Sequence, residues 1–147
     1  MRNSQVFPNF SLLLLTLLLL PLSTSGHADA QVAKAKETPL MSKALPDVPG
    51  KEAVVETVVL SPGEVVPAHR HDADVFAYVL EGSMITQVEG GKPQTVHAGE
   101  AFYESPTDVH IASRNASTTQ PAKLLVFFVK KMGAPPTSYL QTGDAAH

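Results

Sequence analysis

Residues 63–82 read Gly63-Glu-Val-Val-Pro-Ala-His69-Arg-His71-Asp-Ala-Asp-Val75-Phe-Ala-Tyr-Val-Leu-Glu-Gly82. His69 and His71 stand two residues apart. On an extended strand that spacing sends both imidazoles to one face, about 7 Å apart along the chain. Two neutral imidazoles on one face, completed by donors from another strand, can hold a divalent transition metal. A lone His-x-His also occurs as two ordinary polar residues on a strand. Its setting gives this one weight: the turn Ser61-Pro62-Gly63 precedes it, and an apolar strand closing on Glu81-Gly82 follows.

Strand signals recur on both sides of this stretch. Residues 53–60 are dense in Val, 66–71 carry the histidines, and 74–80 are apolar on both faces. Residues 83–89 alternate, and Gly90-Gly91 turns the chain into 93–97. Ala98-Gly99 leads to 100–104, and Ser105-Pro106-Thr107-Asp108 to 109–114. Residues 123–130 end the series with Leu124-Leu125-Val126-Phe127-Phe128-Val129. Eight or so short strands divided by Gly, Pro and Asp turns, with no convincing helix, predict an all-β barrel or sandwich. Closing the sheet, or pairing between chains, would remove its edges. A last strand apolar on both faces predicts a covered outer surface and hence a homodimer.

The chain has 147 residues, no Cys, a formal net charge of −3 and 44% hydrophobic residues. That length suits one domain. The near-balanced charge offers no basic patch for nucleic acid. Without Cys, a metal here must be held by nitrogen and oxygen. Arg2, a Leu-rich run over 11–20 and the small-residue site Ala28-Asp29-Ala30 form a secretory signal peptide over 1–30, cut after Ala30. The run is too short for a membrane anchor, which needs about 20 residues. The mature chain is thus expected to be periplasmic or secreted, and His27 lost with the leader. Residues 31–50, broken by Pro39, Pro46 and Pro49, read as an irregular arm. Residues 51–131 form the β domain, and 132–147 a flexible tail with Tyr139 and Leu140 as docking residues.

A second constellation stands about forty residues after the first His: Gly99-Glu-Ala-Phe-Tyr-Glu104-Ser-Pro106-Thr-Asp-Val-His110, with Asn115 beyond it. With both stretches in view, the chain resembles the cupins. That family's first motif is Gly-x5-His-x-His-x3,4-Glu-x6-Gly and its second is Gly-x5-Pro-x-Gly-x2-His-x3-Asn. Gly63, His69, His71 and Gly82 match the first in spacing, and Gly99 and His110 the second. The resemblance covers roughly residues 51–130. It implies a single jelly-roll β-barrel, the double-stranded β-helix of cupins, with a metal near its centre.

The departures fall at the ligands. Val75 stands where the first motif has its Glu, Pro106 is one residue late, Thr107 replaces the inner Gly, and Asn115 is also one residue late. Only His69, His71 and His110 carry over as metal ligands. Asp72 and Asp74 have the opposite strand parity. Glu104 occupies a place where the family usually has an inward apolar residue, and Phe102 shares its parity. A carboxylate facing an apolar interior is costly without a cation or hydrogen-bond partner. Glu104 is therefore read as a fourth ligand or as a catalytic proton acceptor beside an open position, against the alternative of an edge residue turned to solvent.

Arg70 and His97 read as surface groups and Tyr103 as structural. Phe76, Tyr78 and Leu80 read as sheet packing or dimer surface, and Gln87, Phe102 and Phe127 as lining the barrel mouth. Asn115-Ala116-Ser117 fits a glycosylation acceptor. Three His and at most one carboxylate suit Mn, Fe, Ni, Cu or Zn rather than Mg or Ca. The resemblance implies a small-molecule substrate and admits dioxygenase-type chemistry. A non-catalytic small-ligand-binding module with a structural metal or none stands as the alternative.

Overall fold

The computed structural model describes residues 35–140, all within one unit, Gln31–His147. The leader expected over 1–30, with its cleavage site, and His147 lie outside the described residues. Eleven strands and no helix appear among the described residues: β1 (Lys36–Ala44), β2 (Lys51–Leu60), β3 (Val65–Val66), β4 (His69–Arg70), β5 (Ala73–Glu81), β6 (Ser83–Val88), β7 (Gln94–His97), β8 (Ala101–Glu104), β9 (Val109–Asn115), β10 (Ala122–Lys131) and β11 (Ser138–Tyr139). One sheet runs β1-β2-β10-β5-β8 and the other β11-β4-β9-β6-β7, with β3 also on β9. Every pairing is antiparallel. This is the expected all-β jelly roll, built of two sheets that do not close into one barrel. The first sheet ends on β1 and β8, so its edges remain open.

The core lies between the sheets. On β5 the inward set is Ala73, Val75, Ala77 and Val79; on β10 it is Leu124, Val126 and Phe128. Met84 and Val96 meet them from the second sheet. The opposite faces of β5, β8 and β10 leave Phe76, Tyr78, Leu80, Tyr103 and Phe127 exposed. Phe127 therefore does not line an interior mouth. Phe76 and Tyr103 have ring centroids 5.2 Å apart, and the Tyr103 hydroxyl donates to Asp74 at 2.7 Å.

Two segments expected to be irregular are ordered. Residues 36–44 of the supposed arm form β1, paired along β2, with the register slipping between Pro39 and Met41. Proline lacks a backbone donor but is tolerated on an edge strand with a bulge. In the supposed flexible tail, Ser138 pairs with Arg70 and Tyr139 with His69. The strand expected over 66–71 is split into β3 and β4, as Pro67 cannot continue the ladder.

Gly82, which ends the first motif, has φ of 74°, and a Cβ there would lie 2.6 Å from the Pro121 carbonyl oxygen. Both backbone conformation and space demand glycine. Asn115 is 2% exposed. Its Nδ2 donates to the carbonyls of Leu60 (3.3 Å), Ser61 (3.0 Å) and Gln120 (2.8 Å), and its Oδ1 accepts from Ser117 N–H (2.9 Å). In the folded protein this amide is a structural pin, so the sequon is closed to glycosylation. Asn115→Asp keeps the acceptor but sets a second oxygen against three carbonyls. It should destabilise the protein by about 1–3 kcal/mol, the cost of unsatisfied buried groups, measured by urea unfolding.

A second pin joins the sheet to the start of the tail. Buried Lys130 donates to Glu52 and to the Ala134 carbonyl, while Glu52 also accepts from Gly133 N–H (2.9 Å) and Ser42 Oγ (3.0 Å). The Lys130 hydrogen bond, then the Gly133 N–H, hold the Glu52 carboxyl down from 4.5 to about 2. A folded pKa below the unfolded value contributes stability above pH 4.5 that is lost as pH falls toward 2. Glu52→Gln should lower the thermal midpoint at neutral pH and flatten this acid limb, read from melting curves over that range.

Candidate metal centre

His69 on β4 and His110 on β9 are direct cross-strand partners. Antiparallel pairing sets their side chains on one face, and the rings stack with centroids 5.1 Å apart and an interplanar angle of 22°. His71 follows β4 by one residue and keeps the parity of His69; their ring centroids lie 4.9 Å apart. His71 and His110 are 5.5 Å apart by the same measure. Three imidazoles separated by up to about forty residues thus converge, all nearly inaccessible to solvent.

Glu104 arrives from the other sheet. It ends β8 and is the cross-strand partner of Val75 on β5. The carboxylate absent at position 75 is supplied one strand over, on the same inward face. Glu104 is 7% exposed, and Val75, at 1%, packs in the core. The Glu104 Oε2 lies 3.3 Å from His71 Nε2, and its Oε1 3.5 Å from His110 Nδ1. The edge alternative, with Glu104 turned to solvent, does not occur. Donor atoms of His71, Glu104 and His110 fall within 4.8 Å of one another. His69 stands outside that tightest group and borders it through its ring contacts.

Backbone carbonyls orient two of the rings. His69 Nδ1 lies 2.8 Å from the Pro67 carbonyl, and His71 Nδ1 lies 2.8 Å from that of Pro136 and 3.2 Å from Thr137 Oγ1. A carbonyl only accepts, so both Nδ1 atoms carry the proton, and in a neutral ring Nε2 then keeps the lone pair that can bind a metal. Pro136 belongs to the tail, which β11 ties to β4, and the Tyr139 ring lies 6.0 Å from His69. The tail is therefore part of the site, a role that sequence reading missed.

The electrostatics fit a cation. Burial pushes His69 down to about 4, against the smaller pull of the Pro67 hydrogen bond, and burial lowers His110 as well. His71 is also opposed by burial, yet the Glu104 hydrogen bond and charge outweigh it and raise its pKa. In effect Glu104 draws a proton onto His71 where a metal cation would serve the same charge. Both ring nitrogens of His110 lack a hydrogen-bond partner although the residue is 1% exposed. Such buried orphans are rare, and an ion between His110, His71 and Glu104 would give one of them a partner. The donor set, nitrogen with one carboxylate, fits a divalent transition metal.

Two cavities meet at this cluster. One, with a volume of about 80 Å³, reaches His69, His71, Glu104 and Tyr139 between walls that include Val58, Leu60, Leu124 and Val126. The other touches Glu104 and His110 from the far side and includes Gln87, as expected. Phe102 borders both. Asp72, Arg70 and His97 are exposed, and Asp74 faces outward to Tyr103. A further acid, Glu56 on β2, lines the first cavity and was missed. Its signal was a charge sharing the parity of Val58 and Leu60 in a Val-rich strand.

Residues 56–128 match the cupin domain family. No curated protein matches the chain by sequence. Among solved structures, DMSP lyase DddQ from Ruegeria pomeroyi DSS-3 superposes with a TM-score of 0.61 at 18% identity, over 82% of this chain and 59% of that one. This chain therefore spans about three fifths of that protein's length. A recombinant oxalate oxidase in complex with glycolate gives a TM-score of 0.55 at 21% identity, covering 83% and 62%. The protein TT1209 from Thermus thermophilus gives 0.53 at 26% identity, covering 66% and 84%. The likeness to the first two establishes the fold. The two histidine motifs lie on neighbouring strands, β4 and β9, inside the stretch that matches the cupin domain family, and that match together with the shared fold supports the cupin superfamily.

Proposed function

We propose that this chain is an exported single-domain cupin that holds one divalent transition metal through His69, His71, His110 and Glu104 and acts on a small molecule in the adjoining cavity. The observation that carries the reading is His110, buried with two orphaned ring nitrogens beside a carboxylate shared with His71. Mn, Fe, Ni, Cu and Zn all accept such donors. When bound, the ion supplies a Lewis-acid centre with positions open to substrate oxygens or, if redox-active, to dioxygen. Dioxygenase-type chemistry is the reaction class proposed. The oxalate oxidase and DMSP lyase that share the fold support small-molecule chemistry by analogy of architecture.

The chain's own groups set the conditions for that chemistry. The Pro67 and Pro136 carbonyls fix the rings of His69 and His71, and the apolar walls limit water. Glu104 is placed to accept a proton at Oε2 from the His71 side. Arg2, the Leu run and Ala28-Asp29-Ala30 support export with cleavage after Ala30. The exposed aromatic face of β5, β8 and β10 supports a homodimer.

Protein recovered from the exported fraction should begin at Gln31 and carry stoichiometric metal by elemental analysis. Glu104→Ala should weaken metal affinity by more than the roughly 10–100-fold typical of an indirect partner. Unchanged stoichiometry and affinity in that variant would remove Glu104 from the site. Metal-free protein that still binds small molecules would establish the non-catalytic module instead.

The tail gives a separate test. Truncation after Gly133 removes the Pro136 carbonyl and the Thr137 hydroxyl from His71. Metal affinity should fall by about 10–100-fold with the first sheet still folded, as followed by metal titration beside circular dichroism.

A further inference from the structure

The cavity holds a second acid that the metal centre does not use. Glu56 is 6% exposed and lies on the inward face of β2 with Val58 and Leu60. Among the described residues it makes no hydrogen bond and no ion pair. A buried carboxylate without a hydrogen bond costs stability, and burial, then the charge of Glu37, raises its pKa against the smaller opposing charge of His71. Glu37 and Tyr139 border the same space. Ser113, 3% exposed, also lines it with a hydroxyl that has no partner.

The geometry points to Glu56, assisted by Glu37, as the anchor for a small organic cation in this cavity. Among the described residues no Lys or Arg lines the cavity, and the groups there able to carry positive charge are the His69 and His71 imidazoles. A positive ligand would restore the partner that Glu56 lacks. The apolar walls cannot replace the water shell of a compact, strongly hydrated ion. An alkylated ammonium or similar onium group is weakly hydrated, matches Val58, Leu60 and Val126 with its alkyl surface, and can lie against the Tyr139 ring. A ligand carrying such a group and an oxygen donor would span from Glu56 to the histidine cluster. This assignment rests on the reading of the cavity as the ligand site, but the contact with Glu56 does not require the ion.

Choline and its neutral isostere 3,3-dimethylbutan-1-ol differ at the cationic centre and test the charge directly. Both are titrated calorimetrically into the full chain, with and without added divalent metal. Choline should bind at least about tenfold more tightly, as expected for a desolvated charge contact. Glu56→Gln should abolish the preference and Glu37→Gln reduce it. The thermal midpoint of Glu56→Gln should hold or rise, because an unpartnered charge has been removed. Equal affinities, no binding of either probe, a preference that survives Glu56→Gln, or a fall in its midpoint would each overturn the assignment. Metal titration of the same samples separates the two readings. Cation preference without metal binding would sink only the metal centre, and metal binding without cation preference only the role of Glu56.

Discussion

Glu104, a carboxylate held inside an apolar fold between two imidazoles, is the constraint on which the site depends. It comes from the first sheet, His110 comes from the second, and His71 leads from one sheet into the other. The two layers are therefore tied by charge as well as by apolar packing. Buried charge is tolerated only where partners replace water. Glu104 has such partners in His71 and His110, yet His110 keeps unmet hydrogen-bonding capacity. The ion proposed above would meet that capacity.

Around this centre the fold spends its polar groups on position. Asn115 closes the turn after β9 against three carbonyls, and Glu52 with Lys130 fastens β2, β10 and the start of the tail. From there the chain returns to set Pro136 against His71 and β11 along β4. The ring that Glu104 polarises is thus aimed by a segment 65 residues away in sequence. Displacing the tail would free His71 to rotate while leaving the apolar core intact, because the core residues lie in the two sheets.

Much of this was legible in the sequence because strand alternation and turn chemistry are local. His69 and His71 share a face by parity, Gly82 marks a turn, and Glu104 falls inward by counting from Gly99. Phe127 was misread because β10 is apolar on both faces, so alternation carries no sign there. Lys130 and Glu52 fix its register only once β2 is known to be its neighbour. Pro39 argued against regular structure in the arm, but an edge strand needs fewer backbone donors, and β1 lies at an edge. The tail's return to His71 leaves no local pattern, since its signal is a backbone carbonyl.

Position 75, where the resemblance to cupins implies a Glu, holds Val, and the buried carboxylate stands at position 104. Val75 and Glu104 are cross-strand partners, so their side chains leave neighbouring strands toward the same interior. Moving the carboxylate from β5 to β8 keeps its charge within reach of the histidines while β5 gains a Val that packs in the core at 1% exposure. The cost is borne by β8, an edge strand of four residues, which must hold a buried charge without a neighbour on its outer side. The imidazole contacts of Glu104 offset part of that burden, and the cation drawn to the same place would offset more. With its carboxylate on the edge strand, occupancy by the proposed ion would couple to the order of that edge, a coupling that a carboxylate on the central strand would not produce.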